Sequence, residues 1–502
     1  MTEGLFLQLY EARKPFSLID TRERCEFIDG HWLGSVNIPL SDFWSRLPHL
    51  IRSRDFPIHL LSWSSKLQKI SIAGLTELGY TNIITHPTCR PRDGTLGFLQ
   101  GEHSWSKAFD EVLYRNTNFI EIGPEEYTKN HKKYTLYDVR PTSEYKLFTL
   151  PNSINLPNSN LLSLLQNLQE KDDFPVLHCA GRTRSIIGAC TLMAAGYPSR
   201  FCVFKGGTQA WELSGKTRET NANRVMVPRA ENLSQIKGLV KRWGIKISTV
   251  EKEKISERVN QKKNHLFFDV SDDAAETTPS IHPIKKISGT NMVQQTDVSI
   301  ACFHVPITLF DFGNGCRAAF AALWLKAMGY NVEILVSQKC LDAKETERSK
   351  NEEFNNFKNW LNFDLPIYDF RSSQDFQNCS IRGSIWANLA SFLIENDAPL
   401  NLGAVCYNEQ HFRFIEKLLG IYGLKIKSTV CWNSKTQTLF KTLKSKLEAP
   451  CDRGKMYADR HKGNLEHARG YLEWEETLPE KIDADIYSMW SNNITSRLRR
   501  TV

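Results

Sequence analysis

The stretch that decides the fold is Phe174-Pro175-Val176-Leu177-His178-Cys179-Ala180-Gly181-Arg182-Thr183-Arg184-Ser185. Residues 174–178 are typical of a short buried strand, and the small residues of 186–195 are typical of a helix. A cysteine in a strand-to-helix turn lies where unpaired backbone N–H groups and the positive end of the helix dipole converge. This position is expected to lower the pKa of the thiol, and the thiolate is the reactive form. Because Arg182 and Arg184 add positive charge, the turn is predicted to favour a thiolate, a persulfide or a small oxyanion.

The composition indicates a multidomain globular protein. A chain of 502 residues is too long for a single ordinary core. Its 41% hydrophobic and 24% charged residues are usual for water-soluble proteins. The first residues lack the pattern of a secretory signal, and no run approaches the roughly 18 apolar residues of a membrane span. We therefore expect a cytoplasmic protein with no membrane partner.

Cysteine spacing and charge exclude several functions. The twelve cysteines form no C-x-x-C pair, so neither a zinc ribbon nor a thioredoxin-type motif is present. We accordingly expect no metal and no cofactor. The net charge of +8 is spread along the chain, which favours a solvated surface over nucleic-acid binding.

The chain repeats one unit four times. A strand with an acidic end recurs as Leu18-Ile19-Asp20-Thr21-Arg22, Tyr137-Asp138-Val139-Arg140, Phe268-Asp269-Val270-Ser271 and Tyr368-Asp369-Phe370-Arg371. An acid follows each arginine after four residues, as Glu26, Glu144 and Asp375. That spacing predicts an ion pair within one helical turn.

Two further signatures complete the unit. Seventeen residues after the aspartate comes a second strand, seen as Ser35-Val36-Asn37-Ile38-Pro39, Ser153-Ile154-Asn155-Leu156-Pro157 and Ser384-Ile385-Trp386-Ala387-Asn388, with a weak Ile284-Lys285-Lys286-Ile287 in the third unit. A glycine then ends a helix in each unit, at Gly79, Gly196, Gly329 and Gly423. Strands that alternate with helices predict an α/β protein of tandem domains, each a mostly parallel sheet with helices on both faces.

The signatures divide the chain into five parts. The predicted parts are residues 1–112, 113–224, 225–345 and 346–445 for repeats one to four, and 446–502 for a helical C-terminal tail.

Counting back 17 residues from each closing glycine aligns the loops. The position of Cys179 becomes Ser62 in repeat one, Phe312 in repeat three and Cys406 in repeat four. Repeat two alone combines the cysteine with small and basic neighbours, whereas Glu409 would oppose a thiolate at Cys406. We therefore predict one catalytic repeat and three inactive ones. A sulfur-carrying role for Cys406 or Cys316 is the less favoured reading.

These motifs resemble the rhodanese family of sulfurtransferases. The resemblance is carried by Asp138-Val139-Arg140 with Glu144, by Ser153-Ile154-Asn155-Leu156-Pro157, by the loop from Cys179, and by Phe204-Lys205-Gly206-Gly207-Thr208-Gln209-Ala210-Trp211. The whole chain, with Tyr471-Leu472-Glu473-Trp474-Glu475 in its tail, looks like the bacterial proteins with four tandem rhodanese-like domains. This resemblance implies a rhodanese fold for each repeat.

The resemblance also implies a persulfide relay. Cys179 would take sulfane sulfur from a small anionic donor, thiosulfate or a related persulfide, and pass it to cyanide or a thiol, with a protein acceptor as a further candidate. Arg182 and Arg184 would hold the donor and help to expel sulfite, and Arg184, at the end of the loop, is favoured for fixing the loop. The backbone of Ala180, Gly181, Thr183 and Ser185 would cradle the persulfide. Asp138, Arg140 and Glu144 are assigned to the scaffold.

Two alternatives stay open. Cysteine-dependent phosphatases and arsenate reductases place an arginine six residues after the cysteine, but here that position is Ser185 and Arg184 comes one residue earlier. A non-enzymatic binding scaffold would also explain three degraded repeats. The oligomeric state is not indicated. His178 is read as a packing residue in preference to a base.

Overall fold

The computed structural model describes residues 4–86, 94–165, 168, 174–197, 200–226, 233–251, 253–262, 264–271, 284–337, 361–395, 398–433, 440, 442–448, 450–454 and 456–498. Four sheets of four or five strands follow one another along the chain, and every strand pair within them is parallel. Helices separate the strands throughout. The predicted α/β class with mostly parallel sheets is confirmed.

Sheets one and two contain the first nine parallel strands. In spatial order, sheet one is Val36–Asn37, Ser17–Asp20, Ile58–Leu61, Ile83–Thr85. Its helices are Leu5–Glu11, Arg24–Asp29, Phe43–Leu50 and Ser65–Glu77. Sheet two is Ile120–Ile122, Cys202–Phe204, Phe174–His178, Tyr134–Asp138, Ile154–Asn155. Its helices are Pro124–Asn130, Thr142–Leu147, Thr183–Ala194 and Gly207–Leu213.

Sheets three and four repeat this arrangement. Sheet three is Lys246–Thr249, Asn331–Val336, Pro306–Asp311, Leu266–Asp269, Lys285–Lys286. Its helices are Leu233–Arg242, Glu253–Asn260, Gly289–Gln294, Thr296–Ser299 and Cys316–Ala327. Sheet four is Ser384–Trp386, Ile367–Asp369, Asn401–Cys406, Lys425–Cys431. Its helices are Ser373–Asn378, Leu389–Glu395 and Glu409–Ile421.

Short elements complete the fold. Two antiparallel pairs lie beside the sheets, His31–Trp32 with Phe98–Leu99 and Ser380–Ile381 with Thr442–Leu443. Single 3-10 turns occur at Leu40–Asp42, His131–Lys133, Asn158–Ser163 and Leu478–Lys481. In the parts of the chain that the structure describes, no helix is both long and apolar enough to span a bilayer.

The repeated Asp-x-Arg signature is a buried ion pair. Arg140 donates from Nε and Nη2 to the Asp138 carboxylate, with Nη2–Oδ2 at 2.6 Å, and Arg22 and Arg371 pair in the same way with the aspartate two residues earlier. The predicted pairs with the acid four residues later are wrong in repeats one and four. The arginine must turn back because the aspartate at the strand end is buried and needs a partner.

The second signature fastens this turn. Asn155 donates its side-chain amide to the carbonyl oxygens of Asp138 and Arg140, at 3.1 and 2.9 Å. Asn37 makes the same two bonds in repeat one. Trp386, at the matching position of repeat four, donates its indole N–H to the Arg371 carbonyl at 3.0 Å. The spacing of 17 residues therefore marks a side chain that satisfies buried backbone groups.

The four closing glycines have the predicted backbone. Their φ angles of +85°, +73°, +101° and +76° lie in the left-handed region, which is costly for residues with a Cβ atom. By contrast, the border predicted after residue 112 cuts through helix Ser104–Arg115, which is buried from Ser104 to Leu113. A border after Arg115 keeps that helix whole. The border at residue 345 lies outside the described residues, and the others stay predictions.

Helix Ser104–Arg115, here called the central helix, packs against the tail. The tail contains helix Leu465–Thr477, called the tail helix, and helix Ala484–Leu498. Trp490 of the latter is fully buried, with its ring 4.8 Å from that of Trp105 and 5.4 Å from that of Phe109. Its indole N–H donates to the Met328 carbonyl of repeat three. The tail is therefore part of the core.

We predict that Trp490→Ala lowers the free energy of unfolding by about 3–5 kcal/mol, because it leaves a cavity between the central helix and repeat three. The midpoint of urea unfolding measures this effect. Leu465→Ala, on a residue that is 47% exposed at the start of the tail helix, is the control. Equal midpoints for the two variants would show that the tail does not hold the core together.

Candidate active site

Cys179 follows the middle strand of sheet two. Strand Phe174–His178 pairs on one side with Tyr134–Asp138 and on the other with Cys202–Phe204. Residues 179–185, here called the cysteine loop, form the turn after this strand. The last three of them are already the start of helix Thr183–Ala194. The thiol therefore lies at the carboxyl edge of a parallel sheet, where such folds place their sites.

The glycine pair of the family signature holds the loop in shape. The first N–H groups of helix Gly207–Leu213 bind the loop's carbonyl oxygens, since Thr208 donates to Cys179 and Gln209 to Ala180, both at 3.0 Å. Gly207 has a φ of +52°, and a Cβ atom there would lie 2.3 Å from the Cys179 carbonyl oxygen. Only glycine allows this approach.

The thiol of Cys179 is buried and its pKa is raised. The residue is 2% exposed. Burial raises the pKa of the thiol most, the positive charge of Arg184 lowers it, the carboxylate of Glu475 raises it, and hydrogen bonding from Ser185 lowers it. The expectation of a lowered pKa is therefore wrong for this closed arrangement. Arg184 and Ser185 of the loop do favour the thiolate, as predicted. Burial and the Glu475 carboxylate raise the pKa of the thiol by more than these groups lower it.

Arg184 is clamped beside the thiol by Glu144. The two side chains form a bidentate pair, with Nη1–Oε1 at 2.6 Å and Nη2–Oε2 at 2.9 Å. Glu144 is 3.9 Å from Arg140, so its main partner is Arg184 and not the arginine of its own helical turn. Although burial raises it, the two arginines hold the pKa of Glu144 below its usual value. Glu144 thus fixes a charge that acts on Cys179.

Arg182 points away from the loop. Its Nε donates to Glu111 of the central helix at 2.7 Å, and its Nη1 lies 3.2 Å from Glu476 and 3.7 Å from Glu121. Its guanidinium also stacks on the Tyr114 ring at 4.0 Å. The structure therefore does not place Arg182 where it could hold a donor at the thiol. It fastens the loop to the central helix.

His178 has a structural environment. It is fully buried, and its Nε2 is 2.6 Å from the Ser153 hydroxyl. Burial lowers the pKa of its imidazole to about 4, so the ring is neutral at physiological pH. The serine of the second signature thus anchors the strand that ends at the cysteine. Asp138 and Arg140 lie below the loop as a buried pair.

The tail helix covers the cysteine loop. A Cβ atom on Gly181 would lie 3.1 Å from both Glu475 Oε2 and the Tyr471 ring, so these side chains rest on the loop backbone. Glu475 Oε1 accepts hydrogen bonds from the Tyr471 hydroxyl at 2.7 Å and from Thr183 at 3.4 Å. Lys107 of the central helix donates to the same tyrosine at 2.5 Å.

One atom of this cover stands out. Glu475 is 1% exposed, yet its Oε2 atom accepts no hydrogen bond from any residue the structure describes. A buried carboxylate oxygen without a donor is costly. The cover therefore contains one costly unsatisfied oxygen next to the thiol, although Oε1 of the same carboxylate lies 3.6 Å from the Lys107 ammonium.

In the other repeats, side chains of the same repeat interact at the loop that aligns with the cysteine loop. In repeat three the carboxylate of Asp311 accepts from the backbone N–H groups of Gly313, Arg317 and Ala318. Trp63 of repeat one lies 3.3 Å from the Arg22 guanidinium.

In repeat four a tyrosine side chain occupies the loop that aligns with the cysteine loop. Tyr407 donates its hydroxyl to Asp375 and accepts from Ser372 N–H. Cys406 is fully buried, and burial raises the pKa of its thiol well above the usual value. No group of three or more possible metal-ligating side chains occurs among the residues that the structure describes.

Sequence reasoning missed Lys107, Glu111, Tyr471 and Glu475. Each lies far from the cysteine loop along the chain, and each is an ordinary polar residue on a helix. The one available signal was the Tyr471–Glu475 segment, which resembles the family's ending but carries no chemical motif of its own.

We predict that Glu475→Gln lowers the pKa of the Cys179 thiol, because it removes a carboxylate that opposes the thiolate. The rate at which iodoacetamide alkylates Cys179, followed by peptide mass spectrometry across a pH series, reports that pKa. For the wild type the rate should rise only above the ordinary thiol pKa. Glu473→Gln, on the exposed side of the same helix, is the matched control. An unchanged or higher pKa in Glu475→Gln would contradict the assignment.

Comparisons with known proteins bear on the fold and on the domain that contains the cysteine loop. Residues 124–214, which contain the cysteine loop, match the family model of the rhodanese-like domain. The chain is also similar to the crystal structure of a thiosulfate sulfurtransferase from Pseudomonas aeruginosa, with a TM-score of 0.76 and 21% identity over 97% of this chain and 98% of that one. At that identity the likeness shows a shared fold.

Smaller structures match parts of the chain. A rhodanese-related protein from Thermoplasma volcanium is 29% identical over 20% of this chain and 98% of its own, with a TM-score of 0.18. A 3-mercaptopyruvate sulfotransferase from Escherichia coli is 14% identical over 44% of this chain and 98% of its own, with a TM-score of 0.23. A search of curated proteins gave no significant match. The chain therefore contains a rhodanese-like domain at residues 124–214, and nearly its whole length has the fold of a known sulfurtransferase.

Proposed function

We propose that this protein is a sulfurtransferase that carries sulfane sulfur on Cys179. The observation that carries the proposal is the cysteine loop itself. It combines a cysteine at the end of a middle strand with the fixed positive charge of Arg184 and the hydrogen bonds of Ser185. At the same positions repeats one and three have Ser62 and Phe312, and Cys406 of repeat four lies against acidic and bulky neighbours.

The chemistry is a pair of displacements at sulfur. The Cys179 thiolate attacks the outer sulfur of thiosulfate, the S–S bond of the donor breaks, and sulfite leaves with the electron pair. Cys179 is left as a persulfide anion. Cyanide or a thiolate then attacks the outer sulfur, takes it as thiocyanate or a new persulfide, and regenerates the Cys179 thiolate. A small anionic donor is therefore the proposed substrate, and a protein thiol is a further acceptor.

The loop residues have distinct roles in this proposal. Arg184 favours the thiolate, the persulfide anion and the departing sulfite, since each carries negative charge next to it. Ser185 stabilises the sulfur by hydrogen bonding, and the backbone of Ala180 and Gly181 shapes the turn around it. Thr183 becomes available to the substrate when Glu475 withdraws.

The closed arrangement requires an opening step. With Cys179 buried and Glu475 against Gly181, a donor reaches the thiol only after the tail helix shifts. That shift removes a negative charge and restores water, and both changes lower the pKa of the thiol. Opening of the cover therefore both exposes the nucleophile and activates it.

We predict that thiosulfate adds one sulfur atom to the Cys179 peptide and that the protein forms thiocyanate from cyanide. Cys179→Ser should abolish both results, while Cys406→Ala should leave turnover nearly unchanged, because the loop of Cys406 contains no arginine and is occupied by Tyr407. Peptide mass spectrometry and a colorimetric thiocyanate assay give the readouts.

Three outcomes would contradict this prediction. No added sulfur with thiosulfate or a persulfide donor would exclude the sulfurtransferase. Hydrolysis of an aryl phosphate that is lost in Cys179→Ser would favour a phosphatase instead. A loss of turnover in Cys406→Ala as deep as that in Cys179→Ser would show a relay between repeats.

We predict that substitution of Arg184 mainly lowers kcat/KM, whereas substitution of Arg182 mainly lowers the free energy of unfolding. Arg184→Gln should lower kcat/KM for thiosulfate by about 10²- to 10³-fold, because it removes the charge beside the sulfur. Arg182→Gln should keep most of kcat/KM but lower the free energy of unfolding by about 3–5 kcal/mol, since Glu111 then stays buried without its partner.

Steady-state kinetics and thermal unfolding distinguish the two effects. The double variant Glu111→Gln/Arg182→Gln should recover part of the stability, because neither residue is then charged. If Arg182→Gln lost as much kcat/KM as Arg184→Gln, the donor would contact Arg182 after all.

A further inference from the structure

Beside the cysteine loop lies a concentration of positive charge that the reaction described so far does not use. We call it the arginine cluster; its members are Arg140, Arg184, Arg218, Arg460 and His461. The first three belong to repeat two, and the last two belong to the tail, just before the tail helix. Each member is at least partly buried.

Phe148 organises the cluster. The guanidinium carbons of Arg140 and Arg218 lie 4.7 and 4.0 Å from the centre of its ring, and the His461 ring lies 5.2 Å away. Arg218 also donates from Nη2 to the His461 carbonyl at 3.1 Å. Burial, together with the charges of Arg460, Arg140, Arg218 and Arg184, lowers the pKa of His461 to about 3, so this ring is neutral at physiological pH.

The cluster contains four buried donor or ring nitrogen atoms without a hydrogen-bond partner, one of which, Arg140 Nη1, lies 3.9 Å from Glu144. They are Arg140 Nη1, Arg218 Nη1, Arg460 Nε and His461 Nδ1, and none has a hydrogen-bond partner among the residues that the structure describes. The nearby carboxylates are already used. Asp138 is paired with Arg140, Glu144 with Arg184, and Glu212 forms an ion pair with Arg218, with Nε–Oε1 at 2.9 Å.

The arginines of the cluster cannot satisfy one another, and the neutral His461 ring offers at most one uncharged acceptor nitrogen. Guanidinium groups only donate hydrogen bonds, so neighbouring arginines have no acceptor to offer one another. Leaving a buried charged donor unpaired costs more than the roughly 1–3 kcal/mol of a neutral one. What is missing is a compact acceptor with negative charge. A tetrahedral oxyanion supplies several oxygens at once and suits guanidinium forks.

The cluster is joined to the cysteine loop. Arg184 acts electrostatically on both Cys179 and His461. On the other side, the Arg460 guanidinium stacks on the Tyr471 ring at 4.3 Å, and Tyr471 rests on Gly181. One side chain, Arg460, would therefore separate an anion in the cluster from the tail cover. One side chain, Arg184, would separate it from the cysteine loop.

We propose that the arginine cluster is a binding site for a small sulfur oxyanion, either the anionic donor or the sulfite that it releases, and that Arg460 of the tail determines its affinity. This inference rests on the proposed sulfur transfer for the identity of the anion. It makes the tail a source of substrate-binding groups as well as a cover.

The test uses sulfate as an inert probe on the full-length protein. Isothermal titration should show sulfate binding to the wild type and to Cys179→Ser alike, and sodium chloride at equal ionic strength should not compete. Arg460→Gln should weaken sulfate binding by about tenfold to a hundredfold, as expected for one charged hydrogen-bond donor. Arg469→Gln, an exposed arginine of the tail helix, is the matched control and should bind as the wild type does.

Kinetics provide the second readout. Arg460→Gln should raise KM for thiosulfate by a similar factor with little change in kcat, and Arg460→Lys, which keeps the charge but loses the fork, should give an intermediate KM. Sulfate binding that is unaffected in both Arg460 variants, or no tighter than chloride binding, would overturn the site. If sulfate binds in an Arg460-dependent way but Cys179 never gains sulfur, the anion site stands and the sulfurtransferase is excluded.

Discussion

The burial of one thiol governs the chemistry of this protein. Cys179 has the favourable surroundings of a reactive cysteine, namely a helix N-terminus, hydrogen bonding with Ser185, and an arginine held by a carboxylate. Burial nonetheless raises its pKa, and Glu475 adds to that effect. The same contacts that complete the core, through the tail helix and the central helix, keep the nucleophile neutral. Stability and reactivity are therefore set by a single interface.

That interface also involves parts of the chain outside repeat two. The central helix connects repeats one and two, and its Lys107 and Glu111 hold the cover and the cysteine loop in place. Repeat three supplies the carbonyl of Met328 that binds Trp490 of the tail. The loops of repeats three and four are closed by Asp311 and Tyr407, so each has become a packing unit. The central helix and repeat three thus contact the tail, which lies over the cysteine loop of repeat two.

Local sequence patterns predicted the parts of the structure that depend on neighbouring residues. The 17-residue spacing between Asp138 and Asn155 and the closing glycines reflect backbone requirements within one repeat, and these were read correctly. The partner of Arg182 could not be read, because Glu111 lies on a helix 71 residues earlier. The raised thiol pKa comes first from burial and then from Glu475 of the tail helix, and no local pattern encodes these distant contacts.

The central claim is that one cysteine carries transferable sulfur under a cover that opens. The most direct measurement is the amount of thiocyanate that cyanide releases from the full-length protein after it has been loaded with thiosulfate and freed of excess donor. The account predicts one sulfur per chain from the wild type and none from Cys179→Ser. Release of no sulfur from the wild type, or equal release from both proteins, would contradict it.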